Sequence, residues 1–139
     1  MEYWDVYTLI SDREPDNLIS YVCNLIPGLD LDKEIGEYTL DIGAEELKIT
    51  TATEFIFSGC FHKKSVGGIR FNIKTKNSIN GGWVYFNKDG STVLGLTVKE
   101  TKCPSALKTL KETCTSKHAY IAGDCPPAES ALEFIEQCT

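Results

Sequence analysis

The chain has no apolar run approaching the roughly 20 residues that a membrane span requires. Its first residues, MEYWDVYTL, lack the basic start and unbroken apolar stretch of a secretion signal. These absences predict a cytoplasmic protein. Histidine is scarce, with two in all, and neither stands in a tight metal clip. Cys103, Cys114, His118 and Cys125 are spaced too widely for a zinc site, and Cys60-Phe61-His62 stands alone. There is no GxSxG elbow, no P-loop and no GxGxxG turn opening a helix. Gly67-Gly68 and Gly81-Gly82 precede strand patterns, so they lack the helix N-terminus that holds phosphate. Ser58 or Cys60, His118 and many carboxylates supply the residue types of a nucleophilic triad, but no spacing joins them. The expectation is a protein that uses no catalysis, no cofactor and no metal. The six cysteines, Cys23, Cys60, Cys103, Cys114, Cys125 and Cys138, show no CxxC and no dense framework spacing. They read as small apolar thiols instead of disulfide partners.

What is present is enough apolar material for one core. At 139 residues and 42% hydrophobic content, the chain reads as a single domain over 1–139 that needs no staples. Its net charge of −6 conceals a segregation. Residues 1–54 carry 13 acids against 3 bases, residues 55–117 carry 3 against 11, and residues 118–139 carry 4 against none. Charge asymmetry of this kind concerns partners more than fold.

The strongest structural pattern is the run 67–98. Ile69, Phe71 and Ile73 alternate with Arg70, Asn72 and Lys74, and Asn80-Gly81-Gly82 reads as a break before Trp83 to Phe86. Asn87-Lys88-Asp89-Gly90 then reads as a second break before 93–98. Period-2 alternation between Gly-containing turns predicts a β-meander. The continuous apolar run of Trp83, Val84, Tyr85 and Phe86 predicts a central strand covered on both faces. Residues 49–61 read as a further strand with Phe55 and Phe57 on one face, followed by a loop over 60–68 holding His62, Lys63 and Lys64.

Before these, residues 3–10 predict a first strand. Pro15 opens a helix in which Leu18, Val22, Leu25 and Ile26 recur at helical spacing until Pro27-Gly28. Residues 29–37 form an acidic connector, and Tyr38, Leu40 and Ile42 alternate in a strand closed by Gly43. After the meander, Pro104 opens a helix with Leu107, Leu110 and Cys114 on one face. Residues 119–122 predict a short strand, and Ala131, Phe134, Ile135 and Cys138 mark a last helix. The prediction is an α+β fold: a mostly antiparallel β-meander sheet of six to seven strands with about three packed helices.

Two surfaces suggest themselves. Asp30, Asp32, Glu34, Glu37, Asp41, Glu45 and Glu46, interspersed with Leu29, Leu31 and Ile35, offer negative charge around apolar anchors, which suits a basic protein partner. The alternative is a nucleic-acid surface built from Arg70, Lys74 and Lys76 on a sheet face. Against it, Arg70 and Lys74 project opposite Phe71, so their own strand offers no exposed ring beside them, and the acidic ends oppose long-range attraction.

In its general organisation the chain resembles the small cytosolic immunity proteins of bacterial contact-dependent growth inhibition and other polymorphic toxin systems. The resemblance is carried by the acidic character, by the strand and helix YWDVYTLISDREPDNLISYVCNLI and by the glycine-punctuated meander GGIRFNIKTKNSINGGWVYFNKDG. It implies a non-enzymatic inhibitor that binds a cognate toxin tightly, often a basic nuclease, and covers its active site or substrate surface. The acidic segment is then the candidate for mimicking nucleic-acid charge. The basic centre departs from uniform acidity and leaves open a toxin with an acidic docking face, or one that is not a nuclease.

Overall fold

A computed structural model describes residues 2–11, 13–73 and 79–138. Among these residues the fold is α+β, with a five-stranded antiparallel sheet, a separate two-stranded sheet and four α-helices. The first strand, β1 (Tyr3–Ile10), is buried throughout from Asp5 to Ile10. Helix α1 (Pro15–Leu25) starts on Pro15, which has no N–H to leave unsatisfied, and buries Leu18, Val22 and Leu25. A hairpin follows, β2 (Glu34–Asp41) and β3 (Glu46–Thr51), closed by Gly43 at φ 97°. These two strands pair only with each other as a sheet, so the strands divide into five and two.

Residues 52–61 are not the strand expected of them. They form helix α2 (Ala52–Phe61). The buried residues Ala52, Phe55, Ile56, Gly59 and Cys60 recur at helical spacing, and Thr51 accepts from the N–H of Glu54 as an N-cap. Phe55 therefore points into the core, stacked on Phe86 at 5.0 Å, while Phe57 points to solvent.

The meander comprises β4 (Gly67–Asn72), β5 (Ile79–Phe86) and β6 (Thr92–Lys99). Asn80-Gly81-Gly82 lies inside β5 instead of breaking the chain. Gly81 and Gly82 pair with Asn72 and Phe71, and a Cβ on Gly82 would meet the Phe71 ring at 2.4 Å. The glycines serve close packing there, not a turn. A short 3₁₀ turn (Glu100–Lys102) leads into α3 (Cys103–Cys114), then β7 (Ala119–Gly123) and α4 (Ala131–Gln137). The sheet order is β4-β5-β6-β1-β7, so the central strand is β6, and β5 lies second from an edge with Trp83 and Tyr85 only half-buried.

One sheet face carries Val6, Leu94, Leu96, Val84 and Ile69 against residues of α1, α2 and α3 in the main core. The other carries Tyr7, Leu9 and Val93 beneath Phe134 of α4. Of the cysteines, Cys60, Cys103 and Cys114 are buried as small apolar residues, whereas Cys23 and Cys125 are exposed.

The connection from β1 to α1 holds Arg13, whose side chain is only 4% exposed. Its Nε donates to Gly90 O at 3.2 Å. Nη1 donates to Gly59 O (3.1 Å), His62 O (3.0 Å) and Ser65 Oγ (2.9 Å), and Nη2 to Ser65 O (2.9 Å) and Asn87 O. The guanidinium also lies 4.7 Å from the Phe86 ring centre. Burial lowers its pKa from the ordinary value, opposed by Cys60 and Asp89. Asp89 in turn receives the N–H of Ala131 at 2.7 Å and so fastens the start of α4. Replacing Arg13 by Leu would strand buried carbonyls from three segments, and we expect it to cost roughly 3 kcal/mol or more. Urea unfolding checks this: a lower midpoint at unchanged slope is expected, and a midpoint equal to that of the parent chain contradicts it.

Candidate partner-binding surface

The structure exposes all seven carboxylates of the acidic segment, Asp30, Asp32, Glu34, Glu37, Asp41, Glu45 and Glu46. They sit on the β2–β3 hairpin and its lead-in. The hairpin turns Leu40 and Leu47, and Tyr38 and Ile49, inward as directly opposed pairs. Thr39 opposite Lys48, and Asp41 opposite Glu46, therefore face out. Asp41 and Glu46 are like charges set directly across a ladder, an arrangement that costs stability. Glu37 has an exposed cation beside it, Lys48 at 3.6 Å, a contact of little energetic weight.

The segment is held at both ends. Asp30 Oδ1 accepts the N–H of Asp32 at 3.0 Å, and Asp32 Oδ1 accepts from the Thr53 hydroxyl at 2.7 Å. The Thr53 N–H donates to Leu31 O at 3.1 Å. Asp32 thus lies by the N-terminal turn of α2, where the helix dipole favours negative charge. At the other end, Asp41 and Val66 exchange two backbone hydrogen bonds of 2.9 Å. Glu34 lies opposite Thr51 near the base, Asp41, Glu45 and Glu46 gather at the tip, and Glu37 stands between. From Glu34 to Asp41 the strand runs about 23 Å at roughly 3.3 Å per residue.

The expected apolar anchors are elsewhere. Leu29, Leu31 and Ile35 are half-buried against the main core, because the lead-in folds over the start of α2. Exposed apolar groups on α2 and just after it are Phe57 (48% exposed) and Phe61 (81%), one turn apart on α2, and Val66 (41%). Sequence reasoning missed them because residues 52–61 read as a strand. The helical spacing of Ala52, Phe55, Ile56 and Cys60 was the signal that assigns Phe57 and Phe61 to the outer side.

Of the basic alternative, Lys74 and Lys76 lie outside the described residues. Arg70 does face away from the buried Phe71, but it is not without a ring: its Cζ lies 5.0 Å from the Trp83 ring centre, on the neighbouring strand. Trp83 stacks on Tyr85 at 5.3 Å, and its indole N–H reaches Asp5 Oδ1 (3.0 Å) and Thr97 Oγ1 (3.1 Å). The Thr97 hydroxyl donates to Asp5 Oδ1 at 2.6 Å, satisfying a carboxylate only 6% exposed. Farther along the same face, the Tyr7 ring lies over Gly95, where a Cβ would meet it at 2.6 Å, and its hydroxyl donates to Cys125 O at 2.8 Å. Among the described residues, no three His, Cys, Asp or Glu side chains come together as a metal-binding group.

Comparison with known protein families, curated proteins and solved structures finds no match to this chain.

The tyrosines allow a direct check on this sheet face. Burial, and then the charge of Asp5, pushes the Tyr85 phenol up to about 12 and raises that of Tyr7 as well. Folded-state values above the ordinary 10.0 mean that the neutral phenols contribute stability below pH 10. That stability is lost as pH rises through the folded-state values. Tyrosinate absorbance from these two residues is expected to appear together with loss of circular dichroism in alkali. Their full titration in an intact fold would contradict this placement.

Proposed function

We propose that the chain is a non-enzymatic inhibitor of the immunity type, which neutralises a cognate toxin by covering it non-covalently. The toxin class that best suits it is a basic nuclease domain. The observation that carries this reading is the exposed row of carboxylates on the β2–β3 hairpin, with Asp41 and Glu46 opposed as like charges. A partner that brings cations to this row relieves that repulsion, and a row of negative charge at fixed spacing offers a phosphate-binding cleft the kind of charge a nucleic-acid strand would. Phe57, Phe61 and Val66 supply apolar contact area at which a bound partner excludes water. The protein then works in the cytoplasm by binding alone. Among the described residues, no helix is long and apolar enough to cross a membrane.

A second reading has one observation in its favour. Arg70 stacked over Trp83, beside Tyr85, places a half-buried cation and half-buried rings together on one sheet face, as in proteins that stack bases of single strands.

A pull-down with the tagged chain, treated with nuclease and read by mass spectrometry, separates the two. One stoichiometric basic protein is expected. Reversing Asp30, Asp32, Glu34 and Glu37 to Lys should slow its association by about tenfold or more at low salt, with a smaller effect at high salt. Partner binding unchanged in that variant sinks the hairpin assignment. Recovery of nucleic acid alone, lost in Arg70→Ala and Trp83→Ala, transfers the function to the other sheet face.

A further inference from the structure

The two edges of the five-stranded sheet are treated differently. At β4 the edge is covered: Asp41 bonds to Val66 through the backbone, and the Tyr38 hydroxyl donates to Arg70 O at 3.0 Å. At the opposite edge, β7 pairs with β1 alone among the described residues. The N–H of Leu9 donates to His118 O at 3.0 Å, and Tyr7 lies opposite Tyr120. The alternation of an antiparallel ladder then turns the backbone groups of Tyr120 towards β1 and those of Ala119 and Ile121 outward. Cys138 sulfur accepts the Ala119 N–H. Ala119 is itself buried at 7% exposure, so among the described residues the outward position open to solvent is Ile121.

Such an edge is a template for another strand, and proteins usually guard it with Lys, Pro or inward charge. The strand sequence AYIAG carries none of these, and Ile121 is 37% exposed; what limits the edge is its length of five residues and the register shift against β1 between Ile121 and Gly123. Beside it runs a groove of about 570 Å³, whose walls include Tyr120, Ile121, Ala122, Pro127, Glu133 and Glu136. The whole segment 118–139 has four acids and no Lys or Arg. On the α4 side the groove carries the carboxylates of Glu133 and Glu136, with the Lys111 charge felt at Cys138 beyond them, and on the Ile121 side it is apolar.

We propose that the β7 edge is a docking site for an extended basic segment of a partner protein, which adds to the sheet as a sixth strand. Backbone bonds to Ile121 set the register. Because side chains alternate along a strand, every second residue of the segment meets Glu133 and Glu136 and is Lys or Arg, and the residues between are apolar against Ile121. The site lies across the sheet from the acidic hairpin and stands whether or not the hairpin binds a toxin.

The test uses the full chain and a blocked synthetic peptide, Lys-Val-Lys-Ile-Lys-Val, followed by fluorescence titration and amide hydrogen exchange. Binding that weakens with salt and slows exchange at Ile121 is expected. Glu133→Lys with Glu136→Lys should weaken it by about tenfold. Ile121→Pro removes the outward N–H together with the apolar side chain and should lower affinity by at least a similar factor, whereas Ile121→Val keeps both and should bind as the parent does. Methylating alternate amide nitrogens of the peptide leaves the protein untouched and should also abolish binding. Equal affinity for Glu-Val-Glu-Ile-Glu-Val, indifference to peptide methylation, or protection confined to β2–β3 overturns the proposal. So does a chain that self-associates through this edge, since a second copy is then its occupant.

Discussion

The arrangement of this molecule depends on Arg13. A guanidinium that leaves water loses several kcal/mol of hydration, and hydrogen bonds to a charged group return roughly 1.5–3 kcal/mol each. The six acceptors that surround it offset that loss. Its acceptors belong to the end of α2, the loop before β4 and the β5–β6 turn, so the bonds form only when all three stand in one relation. The arginine thereby fixes how these three segments stand to one another.

Both candidate surfaces hang from that arrangement. Ser65, bonded twice to Arg13, precedes Val66, and Val66 is the residue that the hairpin grips through Asp41. On the other side, Asn87 and Gly90 are bonded to Arg13 and flank Asp89. Burial alone would push the Asp89 carboxyl up. Donors from Ala131 and Ser91 outweigh it and hold the pKa below its ordinary value. The carboxylate thus stays charged at neutral pH and keeps α4 against the sheet, which forms the far wall of the groove beside β7.

What could be read from the residues alone was whatever repeats locally. The alternation of Ile69, Phe71 and Ile73 marked β4, and the helical spacing of Leu18, Val22 and Leu25 marked α1. Asn87 to Gly90 turned where expected, with Gly90 at φ 92°. Residues 52–61 misled because Phe55 and Phe57 stand two apart, the strand period, although Thr51 and Glu54 spell a helix start three residues apart. Gly81-Gly82 misled because a glycine needed for close packing looks the same as one needed for a turn. The exposure of the seven carboxylates was legible, since acids stay in water without partners. The role of Arg13 was not. Its acceptors lie 46 to 77 residues away, and no local pattern records such contacts. Nor was the Arg70–Trp83 pair legible, because it crosses strands whose register was unknown.

Topology also explains how a chain of net charge −6 tolerates two acidic segments. With β1 inserted between β6 and β7, and the β2–β3 excursion lying beside β4, the acidic N-terminal part and the acidic C-terminal part fall at opposite edges of the sheet. Four strand spacings of about 4.8 Å separate those edges by about 19 Å, roughly twice the screening length at 0.1 M salt. Mutual repulsion is then weak, while each segment keeps its full field towards an approaching cation. The two surfaces can therefore recruit basic partners independently. A single partner that engaged both would have to wrap a whole sheet, and its affinity would fall with salt more steeply than that of a partner held at one edge.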